Sequence, residues 1–418
     1  MKQAIPALCL AILLTLLSGP ALAGEQALTL VLATDMHYLS PSLTDYGERF
    51  MNTVYASDGK VIHYSPQICE AFIRDMLALR PDAVILSGDL TLNGAPVSHQ
   101  EFAGMLTRLT GAGIRVLVIP GNHDVGGRAY SFGPNGVIGF PAATAAEFLE
   151  TYSAFGYEDA LSRDEASLSY IAELGDCVQA VMLDVNANGT RGTAKTSTLA
   201  WLEAQLQEAQ AEGALVIGVS HQNLLAHNKY FTQGVMIGQA QNLLALYRKY
   251  GVRLNLSGHT HMQHITAAGD TVEIVTSSMA LAPGYYGVIT LDGKTLKAYE
   301  AVPVDVEGWA RETGETNADL IGFSRYTEEF FRETVRLKVA AAVADLAVSD
   351  EERQRMIDFA VDLSYHDFSG TRADLKDTGG MKLWEQYLPN GVFTYYLRGA
   401  LAEEPWNMDR YDFTAATP

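Results

Sequence analysis

The chain has 418 residues, 48% of them hydrophobic, and a formal net charge of −20. That is more apolar material than one ordinary domain needs, so one large domain with an appendage is expected. An acidic surplus of this size repels long polyanions, so no long nucleic acid is expected as a partner, and simple solubility is its plainest meaning.

The N-terminus reads as a targeting segment. Lys2 precedes an apolar run over residues 5–17, a breaker at Ser18-Gly19-Pro20, and Ala21-Leu22-Ala23 before Gly24. A basic end, a short greasy stretch and a small-x-small site are the layout of a signal peptide, here residues 1–23, cleaved after Ala23. The run is too short for a comfortable bilayer span, and no later segment is long and apolar enough. The mature protein is therefore expected to be exported (secreted, periplasmic or cell-surface) with no transmembrane segment. Cleavage leaves only Cys69 and Cys177, at most one disulfide, and whether they meet stays open. Nothing in the sequence specifies an oligomeric state.

Residues 27–33 form a continuous apolar strand of the kind buried on both faces, ending at Thr34-Asp35-Met36-His37. Residues 38–64 then read as a long irregular connection. Ser65-Pro66 predicts a helix with Ser65 as N-cap and an inward stripe of Ile68, Phe72, Met76 and Leu79. A strand over 83–86 runs into Ser87-Gly88-Asp89. Ser98 to Glu101 reads as a capping box opening a helix, with His99 exposed in its first turn. A strand over 115–119 delivers Pro120-Gly121-Asn122-His123-Asp124. Strand, helix, strand, helix, strand, with Gly and a ligand-type residue at each strand end, predicts an α/β domain whose site lies at the carboxyl ends of the strands.

Residues 126–141 are expected to loop over that site, followed by a helix around 142–152. Strands over 179–183 and 215–219 end at Asp184 and at Ser220-His221-Gln222, with a helix around Leu199, Leu202 and Leu206 between them. A short helix around Leu243, Leu244 and Tyr247 leads to the strand over 252–256 and then to Gly258-His259-Thr260-His261. Strands over 272–275, 286–291 and 296–301 fit a meander closing a second sheet. From about Glu307 the texture changes, and residues 320–347, 350–363 and 384–402 read as helices. The expected division is a domain over 24–304 and a small all-α domain over 305–418.

Collected in order, the strand-end residues are Asp35, His37, Asp89, Asn122, His123, Asp124, His221, His259 and His261. Carboxylate, amide and imidazole donors suit borderline divalent metals such as Mn, Zn or Fe. Two ions about 3.5–4 Å apart clamp the attacking and leaving oxygens of a displacement at phosphorus. One carboxylate must then bridge, and Asp89 is the natural choice.

Asp35-x-His37, Gly88-Asp89, Gly121-Asn122-His123-Asp124, His221 and Gly258-His259-Thr260-His261 resemble the full motif set of the calcineurin-like metallophosphoesterases, in the right order over roughly residues 28–301. The resemblance implies a two-sheet sandwich flanked by helices, with a dinuclear metal site. It implies Asp35, His37, Asp89 and His261 as ligands of one ion, and Asp89, Asn122, His221 and His259 as ligands of the other. A hydroxide bridging the ions would be the nucleophile, His123 the general acid, and Asp124 the residue fixing the orientation of His123. Asp184, His227 and His264 are claimed by no motif and read as structural.

Gly88-Asp89-Leu90-Thr91 and Gly258-His259-Thr260-His261 resemble the class III cyclic-nucleotide phosphodiesterases most, in an exported bacterial branch with a helical C-terminal domain. The expected activity is hydrolysis of a small phosphodiester, with a cyclic nucleotide as the implied substrate. The stretch over 38–64 departs from that pattern and bears on the substrate. A phosphomonoesterase or 5′-nucleotidase-like activity would use the same metals, and an exported non-catalytic binding protein is the reading from another class. Trp384, Tyr387, Tyr395, Tyr396 and His366 of the tail could reach a substrate, although aromatic residues at helical spacing are usually core.

Overall fold

The computed structural model describes residues 27–187, 189, 191–372, 379–402 and 406–415; the signal peptide expected over 1–23 lies outside them. In chain order the first part comprises β1 (Ala27–Ala33), α1 (Glu48–Ala56), α2 (Ser65–Leu79), β2 (Ala83–Leu86), α3 (Pro96–Gly111) and β3 (Arg115–Val118). Next come β4 (Arg128–Gly133), β5 (Gly136–Pro141), α4 (Ala145–Tyr152), β6 (Ser162–Arg163), β7 (Tyr170–Gly175), β8 (Val178–Leu183), α5 (Thr196–Glu212), β9 (Leu215–Ser220) and α6 (Ala240–Tyr250). Then follow β10 (Leu254–Ser257), β11 (His264–Ala268), β12 (Thr271–Val275), β13 (Tyr285–Asp292) and β14 (Thr295–Pro303). The tail comprises α7 (Val306–Thr313), α8 (Ala318–Ile321), α9 (Phe323–Val343), α10 (Asp350–Ser369), α11 (Gly380–Tyr387), α12 (Val392–Leu401) and β15 (Arg410–Asp412).

The architecture is the expected sandwich. One six-stranded sheet runs β15-β14-β13-β1-β2-β3, and a seven-stranded sheet runs β11-β12-β10-β9-β8-β7-β6. Strands β1, β2 and β3 are parallel, as are β8, β9, β10 and β12. Their apolar runs are covered on both faces, which is what parallel strands require. Leu30, Ile85, Ile217, Leu254 and Ile274 of the two sheets meet in one core. Parallel pairing also brings the carboxyl ends of β1, β2, β3, β9 and β10 to one rim, where the ligand-type residues stand.

Several expectations are corrected. Residues 38–64 are not an irregular connection, because α1 forms within them and buries Phe50 and Val54. Residues 126–141 form the β4–β5 hairpin rather than a loop. Strands β13 and β14 do not close the second sheet: β13 pairs antiparallel with the free edge of β1, and β14 follows on its outer side, while β11 covers the edge of β12. Ser65 is the first residue of α2 rather than its cap, and its Oγ accepts from the Leu39 amide.

The capping box at Ser98 does not form. With Pro96 in its first turn α3 starts earlier, and Ser98 and Glu101 turn instead to the segment after β1, accepting from the Ser40 amide and the Tyr38 hydroxyl. His99 is buried rather than exposed, with Nε2 donating to the Asp124 carbonyl at 2.9 Å and Nδ1 3.0 Å from the Tyr152 hydroxyl.

The tail is helical but not wholly so. Residues 384–402 are two helices, because Pro389-Asn390-Gly391 interrupts them. β15 returns to pair antiparallel with β14, joining the tail to the first sheet. Val306, Ala310, Leu320 and Phe323 pack into the sandwich core, whereas Val339, Met356, Phe359, Trp384 and Leu397 form a core of the tail's own. Cys69 is buried, Cys177 is exposed, and both are free thiols. Among the described residues no helix is long and apolar enough to cross a membrane.

Candidate metal centre

The strand ends bring Asp35, His37, Asp89 and His261 together, with one ligand atom from each lying within 4.8 Å of the others. Asp35 Oδ1 is 3.1 Å from His261 Nε2, and His37 Nε2 is 3.2 Å from His261 Nε2. Asp35 Oδ1 and His37 Nδ1 are shielded from solvent yet have no hydrogen-bond partner. A buried carboxylate oxygen left without a donor and imidazole nitrogens converging on one point fit a divalent cation.

A second set adjoins it through Asp89. Asp89 Oδ1 is 3.3 Å from His221 Nε2, and Asn122 Oδ1 is 3.1 Å from the same nitrogen. The His221 and His259 rings are 5.0 Å apart. His221 Nδ1 donates to the Ser87 carbonyl at 3.0 Å and His259 Nε2 to the Gly234 carbonyl at 2.9 Å. Such anchoring of one ring nitrogen turns the other toward a ligand position.

The backbone is strained to achieve this. Asp35, His37, Asp89, His259 and His261 account for five of the ten non-glycine residues at positive φ among the described residues. Each such residue costs about 1–3 kcal/mol, a concentration expected where function over-determines geometry. Close approach explains two of the glycines: a Cβ on Gly121 would stand 2.2 Å from Asp89 Oδ1, and one on Gly258 would stand 2.5 Å from Asp35 Oδ2.

Electrostatics follow the same pairing. Burial pushes the Asp35 carboxyl up, but the charge of His261, with that of His221, outweighs it and holds Asp35 well below the carboxylate range. Asp89 is likewise buried and likewise held low, by His221 and His123. Burial alone would depress His221, yet the Asp89 charge lifts it to about 9. Burial lowers His259 to about 4 and His37 well below its usual value. The two carboxylates are thus ionised and His37 and His259 neutral, the protonation states that metal ligands need; at His221 a cation would compete with the proton.

His123 stands beside the cluster, its ring 5.1 Å from that of His37 and its Nε2 3.9 Å from Asp89 Oδ2. Its Nδ1 donates to the Leu92 carbonyl at 2.7 Å. This corrects the role expected of Asp124, which does not orient the ring. The Asp124 carboxylate is fully buried and accepts instead from the amides of Leu90, Thr91 and Gly121 and from the Thr91 hydroxyl. It ties the loop after β2 to the loop after β3, and so sets Asp89 and Asn122 in register.

The remaining candidates lie elsewhere. Asp184 caps the turn after β8, accepting from the amides of Leu168, Asn186 and Ala187. His227 Nδ1 is 2.8 Å from His264 Nδ1, and His227 Nε2 is 3.2 Å from Glu273. His366 is held by Thr371 and Asp362.

Lys60 carried no sequence signal. It is only 8% exposed, and among the described residues its ammonium makes no hydrogen bond or ion pair. Burial lowers its pKa while the charges of Asp89, Asp58 and Asp35 raise it, and its own charge is felt at His37. A buried cation therefore stands within electrostatic reach of the carboxylates of the centre. It comes from the turn after α1, inside the stretch that the sequence left unstructured.

The model of the calcineurin-like phosphoesterases matches residues 28–263, and that of the C-terminal domain of cyclic nucleotide phosphodiesterase matches residues 305–406. No curated protein matches the chain. Among solved structures, a dimetal phosphatase from Danio rerio is 12% identical, with a TM-score of 0.45 over 66% of this chain and 95% of that one. The protein TT1561 of Thermus thermophilus is 12% identical, with a TM-score of 0.40 over 67% of this chain and 100% of that one. GAP50, the anchor in the inner membrane complex of Plasmodium, is 13% identical, with a TM-score of 0.35 over 66% and 85%.

Proposed function

Since the chain belongs to the calcineurin-like phosphoesterases, we propose that it is an exported phosphodiesterase using two divalent ions, Mn, Fe or Zn, to hydrolyse a small phosphodiester such as a cyclic nucleotide. The observation that carries the metal reading is the convergence of Asp35, His37, Asp89 and His261 within 4.8 Å. The tail's likeness to the C-terminal domain of cyclic nucleotide phosphodiesterase supports the diester over the monoester. Export rests on the sequence of residues 1–23 alone.

Asp35, His37 and His261 would hold one ion, Asn122, His221 and His259 the other, and Asp89 both. When bound, such ions supply Lewis acidity at phosphorus and a nucleophile usable near neutral pH. Asp89 Oδ1 accepts from the His123 amide at 2.8 Å, which fixes the carboxylate between the two ligand sets. Asp89 Oδ1 is also 3.3 Å from His221 Nε2, and an oxygen of Asp89 lies within 4.8 Å of the ligand atoms of Asp35, His37 and His261. His123, 39% exposed and anchored through Nδ1, turns Nε2 to the open side and protonates the departing ester oxygen. Lys60 adds fixed positive charge toward the anionic phosphoryl group.

Metal-loaded protein is expected to cleave bis-p-nitrophenyl phosphate and 3′,5′-cyclic nucleotides faster than p-nitrophenyl phosphate. A preference for the monoester would reassign it as a phosphomonoesterase. Loss of neither metal nor activity on removing Asp89 would defeat the reading altogether.

A further inference from the structure

A cavity of about 480 Å³ opens beside the metal centre, and the helical tail supplies much of its wall. On the sandwich side it is bounded by His259, Thr260, His261 and Met262, the turn that carries two candidate ligands. Across from them stand Phe331 and Val335 of α9, Phe368 of α10, and Phe393 and Tyr396 of α12. Its size falls within the roughly 300–1,000 Å³ of small-molecule sites, and predominantly apolar walls with a few polar groups are their usual composition. The polar minority includes Asn228, Ser364 and the Asp58–Lys338 ion pair.

Val392 and Phe231, also on its wall, are 72% and 47% exposed. Large apolar side chains left in water at the edge of a concavity mark a surface that gains by being covered. Phe331 and Phe368 are already in ring contact, at 5.4 Å between centroids, so their orientation is set without a ligand. Tyr396 is pinned by a hydrogen bond from its hydroxyl to Asp367 at 2.8 Å, which presents its ring rather than its polar tip. Rings held this way favour a planar, stacking guest over a flexible chain.

We propose that the helical tail forms half of the substrate site, its aromatic wall holding a planar aromatic substituent of the phosphoester while the phosphoryl group lies at His259 and His261. This rests on the phosphodiesterase reading and adds to it the part of the substrate that is recognised. It also corrects the choice of tail residues read from sequence. Trp384 is wholly buried in the tail's core and does not line the cavity, Tyr396 does, and Phe331, Phe368 and Phe393 join it.

The test uses the full chain, metal-loaded, and separates binding from turnover. Calorimetric titration with 1-naphthylphosphonate, decylphosphonate and methylphosphonate is expected to show the naphthyl compound binding at least tenfold more tightly than either of the others. Val335→Trp, which fills the cavity, and Phe393→Ala, which removes one wall, should each lower that preference at least fivefold, with folding checked by circular dichroism. In turnover, the ratio of kcat/KM on bis-p-nitrophenyl phosphate to that on glycerophosphoethanolamine should fall in the same variants. Equal binding of all three phosphonates overturns the proposal even if diesters are hydrolysed. Tighter binding of the decyl compound overturns the aromatic assignment. A naphthyl preference without hydrolysis of any diester leaves the pocket standing and removes the phosphodiesterase reading instead.

Discussion

His123 Nδ1 lies 2.7 Å from the carbonyl oxygen of Leu92, so a main-chain acceptor, not a carboxylate, fixes the one imidazole beside the centre that is not placed as a ligand. Acid catalysis from Nε2 matters most when the departing alcohol is a poor leaving group. His123→Ala is expected to lower kcat on a cyclic nucleotide by about 10²–10³-fold, and to do much less on bis-p-nitrophenyl phosphate, whose leaving group needs little protonation. Equal losses on both substrates would assign His123 to positioning instead.

Asp124 is predicted to behave as a structural residue. Its buried carboxylate receives four hydrogen bonds from the two loops it joins. Asp124→Ala leaves those donors unsatisfied, and urea denaturation should show a loss on the order of 3 kcal/mol or more. Asp124→Asn, which keeps the shape and one acceptor, should lose less.

Lys60 should act through charge. Lys60→Met is expected to raise KM for an anionic diester and lower kcat/KM by about tenfold, with Lys60→Arg recovering part of the loss. Steady-state kinetics at two ionic strengths checks this, since a buried charge is screened far less than a surface one.

His63 gives a pH dependence away from the metals. It is 7% exposed, its Nε2 is 2.8 Å from the Tyr326 hydroxyl, and burial lowers its pKa from 6.5 to about 4 despite the opposing charge of Asp319. A histidine whose folded value is depressed contributes its full stability above pH 6.5, and that contribution is lost as the pH falls toward 4. Between pH 7 and pH 5 the loss is on the order of 2 kcal/mol. Denaturation of wild type and His63→Gln at both pH values should show a smaller difference in the variant.

The metal-binding rim was legible because each ligand follows a buried apolar strand, and parallel strands end on one side of a sheet. The motifs after β1, β2, β3, β9 and β10 therefore pointed to one rim, where Asp35, His37, Asp89 and His261 converge. What escaped was settled by partners distant in sequence. Ser98 and Glu101 carry a capping pattern, but the segment at Tyr38 and Ser40 takes their hydrogen bonds. His99 looks like a surface residue until the Asp124 carbonyl and Tyr152 enclose it. Strand β13 has the same alternation in either sheet, and only the open edge of β1 decides between them. Lys60 sits in a polar stretch that offers no periodicity to read.

In the proposed centre Asp89 is shared between two metal positions, one completed by His261 and the other by His259. Metal content by mass spectrometry after reloading and gel filtration tests it most directly. Wild type should retain about two ions per chain, His261→Ala and His259→Ala about one each, and Asp89→Ala close to none. A wild-type content of one ion or fewer, or an Asp89→Ala protein that keeps its full complement, would contradict the account.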